Sequence, residues 1–260
     1  MTTALITGGT VGIGRAFADK FAGLGYDLVL VARNQERLDE AAEELRGGSA
    51  DADARSIRVE TLSADLATVE GRASVEERLS RQERPIDILV NNAGFGLSHP
   101  FRAGGIEDEE RLLDVHVRAV LRLTHAVLPG MIARGKGSVI NVASVSAFVP
   151  RGTYSAAKAW VVSFSESLAA ELAGTGVRCL ALCPGFTHTE FHERAEIDGD
   201  QIPRWMWLDA PDVVDVAIAD LRKGVTVSVP SIKYKVLVGG SKLVPRRVST
   251  RLSRGVSKRW

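Results

Sequence analysis

The sequence predicts an α/β domain built on one doubly wound sheet of about seven parallel strands, with helices on both faces. Short β-rich runs alternate with longer helical patterns almost to the end of the chain, the rhythm of βαβ units. A chain of 260 residues with 45% hydrophobic side chains is long and apolar enough to bury such a sheet in a single domain. Gly or Pro punctuates most helix ends, as at Gly25, Gly135, Gly174 and Pro211.

In order, a strand at Ala4–Thr7 enters a glycine-rich turn and a helix over Gly12–Leu24. A strand at Asp27–Ala32 and a helix at Gln35–Arg46 follow, then a strand at Ser56–Thr61 and a helix at Thr68–Arg81. The run Ile86–Val90 leads into the longest helical pattern, Glu107–Arg134. Next come a strand at Ser138–Val142, a helix at Tyr154–Ala173 and a strand at Arg178–Leu182. The irregular stretch Phe191–Leu208, with Trp205 and Trp207, reads as a long loop or a small helical lid over about residues 190–209. A helix at Pro211–Leu221 and a strand at Thr226–Val229 close a domain expected to span residues 1–230, leaving 231–260 as a basic, partly helical extension.

Charge divides unevenly. The net charge is +1, yet from Arg222 to Trp260 there are 11 Lys or Arg and no acidic residue, against 22 basic and 32 acidic side chains before it. After Pro245, Val248, Leu252, Val256 and Trp260 recur every four residues, so a helix there carries an apolar stripe among cations. That pattern suits peripheral contact with an anionic membrane, docking on the acidic body or a partner subunit, or a disordered basic end. It lacks an aromatic platform for nucleic acid, and no binding of nucleic acid is expected. No run reaches the roughly 18 apolar residues of a membrane span, and the opening residues lack a signal-peptide pattern. A cytoplasmic protein is expected. Cys179 and Cys183 read as core residues, and His99, His125, His188 and His192 are too scattered to suggest a metal.

The first strand ends in Thr7-Gly8-Gly9-Thr10-Val11-Gly12-Ile13-Gly14 and runs straight into a helix. Glycines at 8, 12 and 14 permit a tight turn and let helix N–H groups approach a pyrophosphate. Tyr154 and Lys158, four apart on a helix, share one face. An ammonium near a phenol favours the phenolate and lowers its pKa, which suits proton transfer. Ser144, at the carboxyl end of the fifth strand, is placed to donate to a carbonyl oxygen that gains negative charge; Ser146 is the alternative.

Together these residues resemble the short-chain dehydrogenase/reductase family, over nearly the whole chain from Thr3 to about Val229. The resemblance rests on Thr7 to Gly14, on Asn91-Asn92-Ala93-Gly94, on Ser144 with Tyr154 and Lys158, and on Pro184, Gly185 and Thr189. It implies a Rossmann-type domain in which Tyr154 moves the proton, Lys158 holds the ribose and lowers the tyrosine pKa, and Ser144 orients the carbonyl. It implies cofactor contacts from Thr7, Gly8, Thr10, Gly12, Ile13, Gly14, Asp65, Leu66, Asn92, Ala93, Gly94, Pro184, Gly185, Thr187 and Thr189. Asn91 would line the cofactor channel with Ala93. A homo-oligomer and a small carbonyl or alcohol substrate, apolar in view of the lid tryptophans, are expected with it.

Two departures stand out. Where the family has an asparagine that serves a proton relay, this chain has His116 after Val115. His116 kinks the helix, joins the proton path with a pKa near neutrality, or is a packed helix residue whose ring hydrogen-bonds locally. The Ser144–Tyr154 interval is also about three residues short, which reshapes one wall of the pocket. At the end of the second strand Ala32 and Arg33 stand where an acidic residue would select NAD, and the guanidinium suits the 2′-phosphate of NADP. The expected activity is hydride transfer between NADP and a carbonyl or secondary alcohol. The competing expectation is a cofactor-binding regulatory or scaffold protein without turnover.

Overall fold

A computed structural model describes residues 2–47, 56–150, 152–190 and 202–243. The strands are β1 (Thr3–Thr7), β2 (Asp27–Ala32), β3 (Val59–Ser63), β4 (Ile88–Asn91), β5 (Gly137–Val142), β6 (Val177–Leu182) and β7 (Val227–Ser228). They pair in parallel in the order β3-β2-β1-β4-β5-β6-β7. The helices among the described residues are α1 (Gly12–Gly23), α2 (Gln35–Gly47), α3 (Val69–Ser80), α4 (Ile106–Leu113), α5 (Val120–Ala133), α6 (Gly152–Glu171), α7 (Ala210–Arg222) and α8 (Ile232–Leu243).

Alternation along each strand splits the core in two. Ala4, Ile6, Leu28, Leu30, Val90, Ile140 and Leu180 pack on one face against Phe17 and Phe21 of α1, Leu38 of α2 and Val214 of α7. Leu5, Val29, Val31, Leu89, Val139 and Cys179 pack on the other against Val75 of α3, Leu123 of α5 and Leu168 of α6. Each Val, Leu, Ile or Phe among them contributes about 1.5–3 kcal/mol on burial. The chain winds from β1 out to β3, then returns to set β4 on the other side of β1. This reversal opens a crevice above the carboxyl ends of β1 and β4, the place where ligands bind in open parallel sheets.

Apart from shifts of one or two residues at element ends, three expected elements differ. The third strand lies at Val59–Ser63, not Ser56–Thr61; it is an edge strand with polar Glu60 and Ser63, and pairing with Leu28–Ala32 sets its limits. The long helix is interrupted by a π-helical turn at Asp114–Ala119 that contains His116. The last strand shrinks to two residues because only Ala181 and Leu182 pair with it. Beyond residue 230, α8 inserts Tyr234, only 3% exposed, into a third cluster with Ala143, Val161, Cys183 and Val229. Both cysteines are buried. No helix among the described residues is long and apolar enough to cross a membrane. The apolar stripe from Val248 to Trp260, His192 and most of the expected lid lie outside the described residues.

Candidate active site

The turn between β1 and α1 forms a cradle. Gly8 and Gly12 adopt φ of +66° and +58°, a left-handed conformation that favours glycine. At Gly14 a β-carbon would stand 2.1 Å from the Gly8 carbonyl oxygen and 2.4 Å from Asn92 Nδ2. No side chain caps α1 and no acidic residue occupies its first turn. Its leading N–H groups and positive end are therefore left for an anion, and the cradle fits a dinucleotide pyrophosphate. Thr10 and Ile13 are half-buried in the same turn.

Thr7 and Asn92 brace this cradle. The Thr7 hydroxyl accepts the N–H groups of Asn92 (2.9 Å) and Ala93 (3.0 Å) and donates to Val90 O (3.3 Å). Asn92 Nδ2 donates to the carbonyls of Thr7 (2.9 Å) and Gly8 (3.1 Å). The Asn91 side chain is turned into the sheet rather than braced on the cradle. It is buried, donating to Asn141 Oδ1 (2.8 Å) and Thr124 Oγ1 (3.1 Å), while Asn141 donates to Ser165 Oγ (3.0 Å). This polar ladder links β4, β5, α5 and α6, and no local signal in the sequence pairs its members.

At the adenosine end, Ala32 is half-buried and Arg33 exposed. The Arg33 guanidinium makes no hydrogen bond or ion pair among the described residues, and its charge acts on Asp65. Burial pushes the Asp65 carboxyl upward, but the Ala67 N–H (3.0 Å) and Arg111 (2.8 Å) outweigh it and hold the pKa below the ordinary value. Leu66 is buried.

The catalytic candidates meet at the carboxyl edge of β5. Ser144 ends the extended segment after β5, and its hydroxyl hydrogen-bonds the Tyr154 phenol while accepting the Ser146 N–H (3.1 Å). Ser144 is thus the serine that reaches the tyrosine, and Ser146 braces it. Lys158, 5% exposed, donates from Nζ to Val142 O (2.7 Å) and stands 5.7 Å from the Tyr154 ring centroid. The expected lowering of the tyrosine pKa by this lysine is not what dominates. Loss of hydration pushes the phenol up to about 12 against the Ser144 hydrogen bond. The same loss brings the Lys158 ammonium down to about 7.

His116 is 1% exposed in the π-helical turn, its ring edge-on to Tyr154 with centroids 5.4 Å apart. Its Nε2 lies 3.0 Å from the Phe95 N–H nitrogen and 2.8 Å from the Phe95 carbonyl, so the tautomer decides which bond forms. Nδ1 is buried without a partner among the described residues. A β-carbon on Gly94 would approach His116 Cε1 to 2.6 Å, so the last residue of the Asn-Asn-Ala-Gly segment makes room for this ring. The near-neutral pKa expected of His116 is overturned. Burial and then the Lys158 charge depress it well below the usual value, outweighing the Phe95 hydrogen bond, and the ring is neutral at pH 7.

After β6, Val145 N–H donates to the buried Pro184 carbonyl (3.0 Å), Thr187 Oγ1 donates to Gly185 O (3.1 Å), and the Thr189 methyl faces Gly12. His188 stacks on Trp207 with centroids 4.5 Å apart and planes 12° apart, and Phe186 tilts against the same tryptophan at 6.0 Å. Sequence reasoning placed neither this aromatic plate nor Tyr234; the tryptophans of an irregular stretch were the only hint of the former.

The model of the short chain dehydrogenase family matches residues 2–199. A sulfoacetaldehyde reductase of Chromohalobacter salexigens is 38% identical over 192 residues, 72% of this chain and 73% of that protein. A short-chain dehydrogenase from Sphingobium yanoikuyae, solved in complex with NADPH, superposes with a TM-score of 0.83 at 36% identity, covering 93% of this chain and 94% of that one. A bulky-bulky ketone specific alcohol dehydrogenase from Comamonas testosteroni superposes with a TM-score of 0.78 at 30% identity, covering 100% of this chain and 95% of that one. With its parallel sheet, its glycine cradle at the β1/β4 crevice and a match over most of its length, the chain belongs to the short-chain dehydrogenase family.

Proposed function

We propose that this protein is an NADP-dependent oxidoreductase that reduces a carbonyl to a secondary alcohol, working chiefly on apolar ketones. The observation that carries this reading is the contact set of Ser144, Tyr154 and Lys158 at the sheet edge beside the glycine cradle. Bound NADPH supplies the hydride. Ser144 orients the carbonyl oxygen and Tyr154 gives it a proton, so the alcohol leaves a transient phenolate behind. A phenol with a pKa of about 12 is fully protonated at neutral pH, the state a reductive donor needs. Lys158 holds the ribose hydroxyls with the N–H groups that Val142 leaves free, and Arg33 meets the 2′-phosphate. The neighbours' NADPH complex and ketone specificity support the cofactor and substrate class. Assembly as a homo-oligomer belongs to the same reading, with apolar Leu113, Leu121 and Ile132 exposed on α4 and α5.

The second reading, an NADP-binding regulator or scaffold, draws on the neutral His116 at the usual asparagine position. Tyr154→Phe separates the two. A reductase loses at least about 10²-fold in kcat while NADPH binding holds. Unchanged ketone turnover in that variant would remove Tyr154 from the chemistry, and absence of turnover in the parent protein would favour the scaffold.

A further inference from the structure

Tyr234 lies outside the set of residues that handles proton, hydride or cofactor, yet it is buried, only 3% exposed. Its ring packs against Gly185, where a β-carbon would stand 2.0 Å from Tyr234 Cζ. Its hydroxyl accepts the Phe186 N–H (3.1 Å) and donates to the Met206 carbonyl (2.8 Å). One side chain of α8 thus joins two segments that come from different parts of the chain.

Those segments are already laced together further along. Leu208 N–H donates to Phe186 O (2.8 Å), and His188 N–H donates to Leu208 O (3.0 Å). Trp207, held between Met206 and Leu208, is the residue that stacks on His188. At the other end the Val145 N–H ties Pro184 to the residue after Ser144. The aromatic plate therefore stands on a hydrogen-bonded frame that begins beside the carbonyl-orienting serine, and Tyr234 fastens that frame between its two ends.

We infer that Tyr234 is a positioning residue that locks the substrate-side segment 202–208 to the nicotinamide-side loop Pro184–Thr189, so that the plate of Trp207 and His188 keeps its distance from Tyr154 for a bulky, flat, apolar ketone. The inference rests on the ketone-reductase reading for its substrate class, and on geometry alone for the coupling. The frame is insensitive to small ketones, which need not reach the plate. Removing the hydroxyl while keeping the ring leaves the Phe186 N–H and Met206 carbonyl without their shared partner, so that only the backbone bonds through Leu208 hold the two segments and both loosen together.

The test is Tyr234→Phe, assayed with NADPH on an aryl ketone and on a small aliphatic ketone, with amide hydrogen exchange followed by mass spectrometry. The aryl ketone KM rises about tenfold, equivalent to about 1.4 kcal/mol, while its kcat, the small-ketone KM and the NADPH dissociation constant each change less than about threefold. Exchange quickens in 184–189 and 202–208 together. Equal effects on both ketones, or exchange in 202–208 that stays at the parent rate, overturn the proposal. Should the parent protein reduce neither ketone, the activity reading fails while the exchange comparison still decides the coupling. If the variant does not fold, the parent protein alone serves: NADPH must slow exchange in 202–208 and 232–238 as well as in 184–189, and protection confined to 184–189 refutes the lock.

Discussion

Arg33 stands at the end of β2 with its guanidinium unbonded among the described residues and its field on Asp65. Arg33→Ala removes a charge that a 2′-phosphate uses and a 2′-hydroxyl does not. NADPH binding weakens at least about tenfold, some 1.4 kcal/mol, and NADH binding stays within about twofold, measured by energy transfer from the four tryptophans to the nicotinamide. His116 gives a different kind of signal. Its folded pKa is depressed, so below the ordinary value of 6.5 the unfolded chain binds a proton that the folded chain refuses. Stability therefore falls as pH drops through 6.5, with a slope from this group of at most about 1.4 kcal/mol per pH unit. Urea unfolding of His116→Asn between pH 5 and 7 should show a shallower acid loss than the parent; an identical slope would assign that loss to other groups. Tyr154 and Lys158 were legible because four residues on a helix fix their shared face. Their pKa directions were not, since the burial behind them involves segments distant in sequence, such as the turn that carries His116.

Among the elements, α1 depends sharply on the absence of a single atom at Gly14. Gly14→Ala drives a β-carbon into the Gly8 carbonyl and the Asn92 amide, both of which hold the cradle's shape. We expect a loss of about 1–3 kcal/mol in stability together with loss of NADPH binding, followed by thermal melting with and without cofactor. On the same helix Gly23→Ala meets nothing within 4 Å, and should be neutral or gain up to about 1 kcal/mol. The glycines of this turn were readable because spacing alone marks them. The π-helical turn at Asp114–Ala119 was not, because a widened turn keeps the apolar periodicity of the helix around it. The third strand was misplaced for a related reason: at a sheet edge with polar residues, the neighbour's register decides where pairing starts.

For the whole molecule, the alternation of strand and helix was enough to read the doubly wound sheet, since parallel neighbours must be joined by crossovers. What alternation cannot supply is the set of side chains that meet across long separations: Asn91 with Asn141, Gly94 with His116, Gly185 with Tyr234. The Thr7 brace spans 85 residues to Asn92 and the Tyr234 lock spans 48 residues to Phe186. Such distant pairings close slowly, and a chain emerging from the ribosome makes them in the order its residues appear. The nucleotide cradle can close once Gly94 is free of the exit tunnel, whereas the aromatic wall waits for Tyr234. During synthesis the glycine cradle at the β1/β4 crevice can therefore take shape first and the aromatic plate last.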